Sequence, residues 1–156
     1  MRATRRNDRG AVVVEFAFVV PVFLILVFGI IEFGWAFSQQ LDVRHGAREG
    51  ARLASVNHGH YDDSDNERTP SAQTTVLIEE ICSRMDRDGE AEVTISGGGE
   101  VGDETEVTVL RELDTLTGFF DGWLGGREIE SSVSMRTEQD ATWQVATAAD
   151  CPPETT

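Results

Sequence analysis

The sequence predicts an α+β fold: a long N-terminal transmembrane helix, then a short helix and a small antiparallel sheet. Three patterns support this. An apolar run lies near the N-terminus, a later segment repeats apolar residues at helical spacing, and three further segments alternate apolar and polar residues. The apolar run extends from Ala11 to Ile31 and is interrupted by Glu15. As a helix it would be about 30 Å long, the thickness of a bilayer core, and it therefore predicts one membrane span.

The carboxylate of Glu15 is the unusual feature of this span, because a charge inside the apolar layer costs about 3 kcal/mol on insertion scales. A cut after Gly10 would leave a free amino group on Ala11, with a pKa of about 8. Ala11 and Glu15 are four residues apart, so on a helix they share a face and can neutralise each other or neighbouring copies. We therefore interpret Gly10, Ala11, Glu15 and Phe16 as a processing site.

The residues around this site resemble a known family. Basic residues, Gly10, four apolar residues, Glu15 and Phe16 are similar to the prepilin peptidase sites of type IV pilins and pseudopilins. Further matching residues are Pro21, Gly29, the Glu-Phe-Gly triplet at 32–34 and the Ala-Arg-Glu-Gly-Ala-Arg segment at 47–52. Together they resemble the N-terminal domain of the TadE-like family, pseudopilins of the Tad (Flp pilus) assembly system. The resemblance implies a pilin-like architecture, with prepilin peptidase, other pilin-type subunits and the Tad assembly components as partners.

Charge predicts the orientation and excludes one class of partner. Four arginines precede the span, at positions 2, 5, 6 and 9, so the N-terminus is expected in the cytoplasm and the domain beyond Phe37 outside the cell membrane. The net charge of −15 argues against nucleic acid, whose phosphates require basic groups. A secretory signal peptide cut after Ala36 is the alternative. Against it, the apolar region is longer than the usual 7 to roughly 15 residues, and Glu32 would lie close to the cut.

The chain divides into six predicted parts. They are a basic cytoplasmic leader (1–10), a transmembrane helix (11–37), an extracytoplasmic continuation of that helix (38–56), a polar loop (57–72), a small α+β exported domain (73–140) and a C-terminal tail (141–156), which is expected to be loose from Asp150 on unless a disulfide holds it. Pro21 is expected to bend the helix within the membrane. Glu32, at the outer end of the apolar run, is expected to be a solvated interfacial carboxylate; pairing with an arginine of a neighbouring subunit is the alternative.

The helix continuation carries two stripes. Gly46 and Gly50 have the spacing that allows close approach of backbones, and three alanines (Ala47, Ala51, Ala54) and Val43 lie on the same face. This face is expected to pack on the chain's own domain, with a neighbouring subunit as the alternative. The second stripe consists of Arg44, Arg48 and Arg52, of which Arg48 and Arg52 match the family motif. We expect it to be solvated, although guanidinium groups also suit carboxylates or lipid phosphates.

In the exported domain, apolar spacing predicts a helix from Ser71 to Asp88 that ends at Gly89. Alternation predicts strands at 91–96, 104–110 and 128–136, with a glycine turn at 97–99 joining the first two. The aromatic link from Leu113 to Gly126 is expected to fill the core, with an exposed apolar lip as the alternative. The two cysteines, Cys82 and Cys151, permit one disulfide in an oxidising compartment.

Residues with catalytic or metal-binding potential form no strong motif. His58, His60 and the aspartates at 62, 63 and 65 are the one combination that could bind a metal, and a solvated connector is the preferred interpretation. No nucleophile signature and no phosphate-binding loop is present, so the sequence predicts neither an enzyme nor a cofactor. The leading hypothesis is a processed pseudopilin in the lipid bilayer. The second hypothesis is an unprocessed, single-pass anchored domain that binds a partner outside the cell membrane.

Overall fold

The computed structural model describes residues 9–85 and 91–151, and it confirms the predicted α+β class. Helix α1 (Arg9–Ser55) is 47 residues long and continues through Pro21. At 1.5 Å per residue its length is about 70 Å. The remaining elements are α2 (Pro70–Ser83), β1 (Ala91–Gly97), β2 (Glu104–Glu112), α3 (Asp121–Leu124), β3 (Glu128–Arg136) and β4 (Ala146–Asp150). The leader before Arg9 and the predicted helix end at Gly89 lie outside the described residues.

The four strands form one antiparallel sheet in the order β3-β2-β1-β4. Val107 at the centre of β2 lies opposite Ile95 of β1 and Val133 of β3. Alternate residues of β1 and β2 are buried, as expected for strands with one face on a core. Gly97 ends β1 with φ +75°, and a Cβ there would collide with the carbonyl oxygen of Glu104, so the turn requires glycine.

The core lies between this sheet and the outer part of α1. The small-residue stripe of α1 is buried against the chain's own domain, which is the first of the two alternatives that the sequence left open. A Cβ on Gly46 would collide with the Met85 side chain, and one on Gly50 would lie 2.9 Å from Ile81 Cδ1 and 3.0 Å from Val107 Cγ1. The two glycines therefore allow α2 and the sheet to approach α1 closely.

Helix α2 packs against the same core. Thr69 is its N-cap and accepts a hydrogen bond from the Ala72 N–H, and Pro70 occupies the first helical position. The helix ends at Ser83, earlier than predicted. Its apolar face buries Leu77, Ile81 and Cys82.

Strand β4 was not predicted. It lies in the segment assigned to the C-terminal tail, and it pairs with β1 through Glu92–Asp150 and Val93–Ala149. Cys82 and Cys151 form a disulfide with an S–S distance of 2.02 Å, which attaches the end of β4 to α2. For cysteines 69 residues apart, closing the loop in the unfolded chain stabilises the fold by about 4 kcal/mol in the chain-entropy description.

The aromatic link between β2 and β3 does not fill the core, and that expectation was wrong. Leu116, Phe119 and Trp123 are more than half exposed, whereas Trp143, close to β4, is buried and donates a hydrogen bond from Nε1 to the Ala54 carbonyl at 3.2 Å. Instead of filling the core, the link packs on α1, with the rings of Phe119 and Phe28 stacked at 5.8 Å between centroids. The alternative of an exposed apolar lip describes this loop.

The contact at Gly50 leads to a first prediction. Replacing Gly50 with Val places branched carbons against Ile81 and Val107, and overpacking of this kind costs about 2 kcal/mol. Thermal unfolding of the detergent-solubilised protein, followed by near-ultraviolet circular dichroism, should show the loss. The matched control is Gly34→Val on the same helix, where a Cβ meets no atom of the described residues within 4 Å. Equal melting temperatures for the two variants would contradict the packing described here.

Candidate functional site

The proposed processing residues lie at the start of α1. Gly10, Ala11, Glu15 and Phe16 are all helical and exposed. Ala11 and Glu15 lie one turn apart on one face, as predicted from their spacing. Within residues 9–85 and 91–151, no side chain or backbone group donates a hydrogen bond to the Glu15 carboxylate. Its surroundings are thus open to a partner from outside the chain's own domain.

Most of the apolar part of α1 is not covered by the domain that α2 and the sheet form. Its side chains from Val12 to Leu26 are largely exposed, including Phe16, Phe18 and Phe23. Among the helices that the structure describes, α1 is the one long and apolar enough to cross a membrane. A helix that is apolar on all sides needs an apolar environment around it.

Glu32 is buried, which corrects the prediction that it is solvated. Its side chain is 1% exposed because the β2–β3 loop (residues 113–127) covers it. One carboxylate oxygen accepts a hydrogen bond from the Leu116 N–H at 2.7 Å. The other accepts from the N–H of Thr117 at 3.1 Å and from its hydroxyl at 2.6 Å. Three donors therefore compensate the carboxylate for the water it loses.

Gln39 binds the same loop two helical turns further along α1. Its amide nitrogen donates to the Asp114 carbonyl at 2.8 Å, and its amide oxygen accepts from the Asp114 N–H at 3.0 Å. Glu32 and Gln39 are seven residues apart, so they project from one face of the helix. We call this pair the loop latch. Its four interactions with the main chain, plus the Thr117 hydroxyl, hold the β2–β3 loop against the helix.

Near the end of β2, just before the β2–β3 loop, Arg111 forms a buried ion pair with α1. Arg111 is 3% exposed, and its Nη1 lies 3.2 Å from Asp42 Oδ2 on α1. A cavity of about 330 Å³ adjoins this pair and is lined by side chains that include Trp35, Ser38 and His45. Sequence reasoning missed Arg111 and the Gln39 contact. The buried partner of Arg111 could have been expected from the sequence. Apolar and polar residues alternate along β2, and Arg111 falls at a position that faces the core, where a charge requires a buried partner.

The arginine stripe divides into two parts. Arg52 binds Glu49 through two hydrogen bonds of 2.6 and 3.0 Å, and Arg84 at the end of α2 approaches Glu49 at 3.6 Å. The hydrogen bond from Arg52, together with both positive charges, lowers the pKa of Glu49. Arg44 and Arg48 are exposed and form no ion pair with another described residue. The outward part of the stripe is thus Arg44 and Arg48.

The polar loop after α1 is ordered by hydrogen bonds among its own residues. Asp62 accepts hydrogen bonds from the Asn66 and Ser64 N–H groups, which lower its pKa, with the Asn66 bond as the largest cause. His60 Nδ1 lies 2.8 Å from the Thr142 hydroxyl. Of the histidines and aspartates in this loop, Asp62 and His60 thus have structural contacts within the chain.

Comparison with known proteins concerns α1. Residues 10–52 match the family model described as TadE-like protein. The N-terminal helix is TadE-like. This match confirms the resemblance found in the sequence, and it spans the processing residues, the apolar run and the segment up to Arg52. Comparison with curated proteins and with solved structures gives no match.

The TadE-like match, together with the one long apolar helix of the described residues, fits a single-pass membrane protein associated with a Tad pilus system. The matched range includes both latch residues, Glu32 and Gln39, but ends before α2. The domain formed by α2 and the sheet, which supplies the loop that the latch binds, lies beyond the matched range. The chain therefore joins a TadE-like helix to a domain whose role must be argued from its own residues.

The loop latch leads to a second prediction. Glu32→Ala leaves three donors of the β2–β3 loop without their acceptor, at a cost of about 2 kcal/mol, so the loop should open more often. Hydrogen exchange of the detergent-solubilised protein should accelerate at the amides of Leu116 and Thr117. The control is Glu49→Ala, which removes a carboxylate of the same helix that binds arginines and not the loop. Unchanged exchange at Leu116 and Thr117 in Glu32→Ala would show that the latch does not hold the loop.

Proposed function

We propose that this chain is a membrane-anchored pseudopilin of a Tad/Flp-type pilus assembly or secretion system, processed by prepilin peptidase. The observation that carries the proposal is the first part of α1, which is TadE-like, apolar on all sides and left uncovered by the chain's own domain. Such a surface is stable in lipid or against other apolar helices. Before assembly the bilayer covers it, and in the assembly other pilin-type helices replace the lipid.

The proposed orientation places the N-terminus in the cytoplasm and the sheet domain outside the cell membrane. The arginine-rich leader supports it, because positive charge beside a span favours the cytoplasmic side. The Cys82–Cys151 disulfide fits the same orientation, since disulfides persist in oxidising compartments. Both observations agree with a domain that is exported while α1 remains in the membrane.

In this proposal Glu15 sets the register between subunits. After a cut between Gly10 and Ala11, each helix carries one ammonium group and, one turn further on, one carboxylate. Inside an apolar bundle an unpaired charge is strongly disfavoured, so neighbouring helices are held at the offset that pairs Glu15 with an amino group. The exposed position of Glu15 on α1 supports this role.

The packing of α1 limits which residues can contact neighbouring subunits. The small-residue face with Gly46, Ala47, Gly50 and Ala51 is occupied by the chain's own sheet and α2. Contacts with other subunits and with Tad assembly components therefore involve the uncovered part of α1, from Ala11 to Leu26, and the outward Arg44 and Arg48. An unprocessed anchored domain, the second hypothesis, would need neither the cut at Gly10 nor the charge at Glu15.

Cleavage is tested on protein purified from the membranes of its own cells. Intact-mass measurement and N-terminal sequencing should give a mature chain that begins at Ala11. Gly10→Val should accumulate the uncut chain of 156 residues, because a branched side chain stands at the scissile bond. Gly34→Val, the same change further along α1, should be processed normally. A functional wild-type protein that begins at Met1 would support the unprocessed anchor, and one that begins at Phe37 would support a signal peptide.

The register role of Glu15 is tested separately from cleavage. Glu15→Leu should insert into the membrane more favourably, by about 3 kcal/mol, yet fail to enter the assembly because the amino groups lose their partner. The measurement is cross-linking of α1 between subunits in intact cells, together with a count of surface pili. Val14→Leu, the neighbouring apolar change, should leave both at wild-type level. Normal cross-linking and piliation with Glu15→Leu would remove Glu15 from the mechanism.

A further inference from the structure

The β2–β3 loop has an exposed apolar tip. Leu116 is 56%, Phe119 58% and Trp123 57% exposed, although each could have been buried in a domain with so few aromatic residues. Phe120 and Leu124 add partly exposed apolar surface beside them. Large apolar side chains exposed together on a small domain indicate a surface that is covered by lipid or by another apolar surface.

The position of this tip along α1 indicates what covers it. Phe119 stacks on Phe28, and the Phe120 ring tip lies 3.9 Å from the position of a Cβ on Gly29. Phe28 is three residues before Ile31, so the contact lies about 5 Å inside the end of the apolar run. The loop therefore reaches the depth at which α1 itself is surrounded by lipid.

The polar groups of the loop fit the boundary between lipid and water. The Arg127 guanidinium lies over the Trp123 ring, 5.6 Å from its centroid, where it can meet lipid phosphates while the ring faces the acyl chains. Asp121 accepts a hydrogen bond from the Thr115 hydroxyl at 3.1 Å. Tryptophan and phenylalanine beside arginine are typical of the interfacial layer of membrane proteins.

We propose that the β2–β3 loop inserts Leu116, Phe119 and Trp123 into the leaflet on the side of the exported domain, and that the occupant of this surface is phospholipid. The loop latch determines how deep the loop lies in the membrane. Glu32 and Gln39 attach the loop to the helix that spans the bilayer, so the loop's depth is set by α1. The domain is thereby held against the membrane at a second point. This inference depends on α1 crossing the membrane, but not on cleavage at Gly10 or on Glu15.

The experiment uses the full chain in phosphatidylcholine–phosphatidylglycerol vesicles. Both native cysteines form the disulfide, so one added cysteine can carry a nitroxide label. Labels are placed at Phe119→Cys and Trp123→Cys, with Phe23→Cys on the uncovered part of α1 as the lipid reference and Ser134→Cys on the outer face of β3 as the aqueous reference. Collision rates with oxygen, which concentrates in lipid, are compared with those of a water-soluble nickel chelate.

The two loop labels should give an oxygen-to-nickel collision ratio severalfold above that of Ser134→Cys and closer to that of Phe23→Cys. A ratio equal to that of Ser134→Cys would overturn the proposal. Slow collisions with both reagents, together with spin broadening that disappears on dilution with unlabelled protein, would overturn it in favour of a second copy as the occupant.

Because a label can disturb the loop, brominated phospholipids provide a second measurement. They should quench a tryptophan emission component that Trp123→Phe lacks, and identical quenching in both proteins would also overturn the proposal.

Discussion

The structure depends on one helix that satisfies two different environments along its length. From Phe16 to Leu26 α1 is apolar on all sides and has no contact with the core, while from Val43 to Ala54 one face is built from small residues. The small face is required because sheet and helix backbones approach each other there, as the crowding at Gly50 demonstrates. Since the helix is continuous, the position of the domain formed by α2 and the sheet is fixed relative to the apolar part of α1.

Glu32 lies where these two environments meet. A buried carboxylate is costly, and at this site the cost is offset by the two N–H groups and the hydroxyl of the β2–β3 loop. The same hydrogen bonds, together with the stacking of Phe119 on Phe28, give the loop its position on α1. Gln39 repeats the arrangement with a neutral amide.

Most of the fold could be predicted from local patterns, and what was missed depends on contacts between distant residues. Helices α1 and α2 and strands β1 to β3 follow from periodicity, and a single apolar run indicated the span. β4 has the sequence Ala-Thr-Ala-Ala-Asp, with little strand propensity, and it is held by pairing with β1 and by the adjacent Cys151. The buried state of Glu32 depends on residues 84 positions away in the sequence, which no local spacing encodes.

The aromatic link shows why a soluble-domain rule failed in this protein. Large apolar side chains are expected in the core because burial removes them from water, but lipid provides the same gain. The core between α1, α2 and the sheet is already filled by Leu77, Ile81, Val107 and Trp143. Phe119 instead stacks on Phe28 near the end of the apolar run, and Leu116 and Trp123 are exposed in the same loop. If α1 leaves the bilayer for an assembly, these side chains leave with it. The surface that faced lipid must then face another subunit or water, so assembly through α1 also changes the environment of this loop.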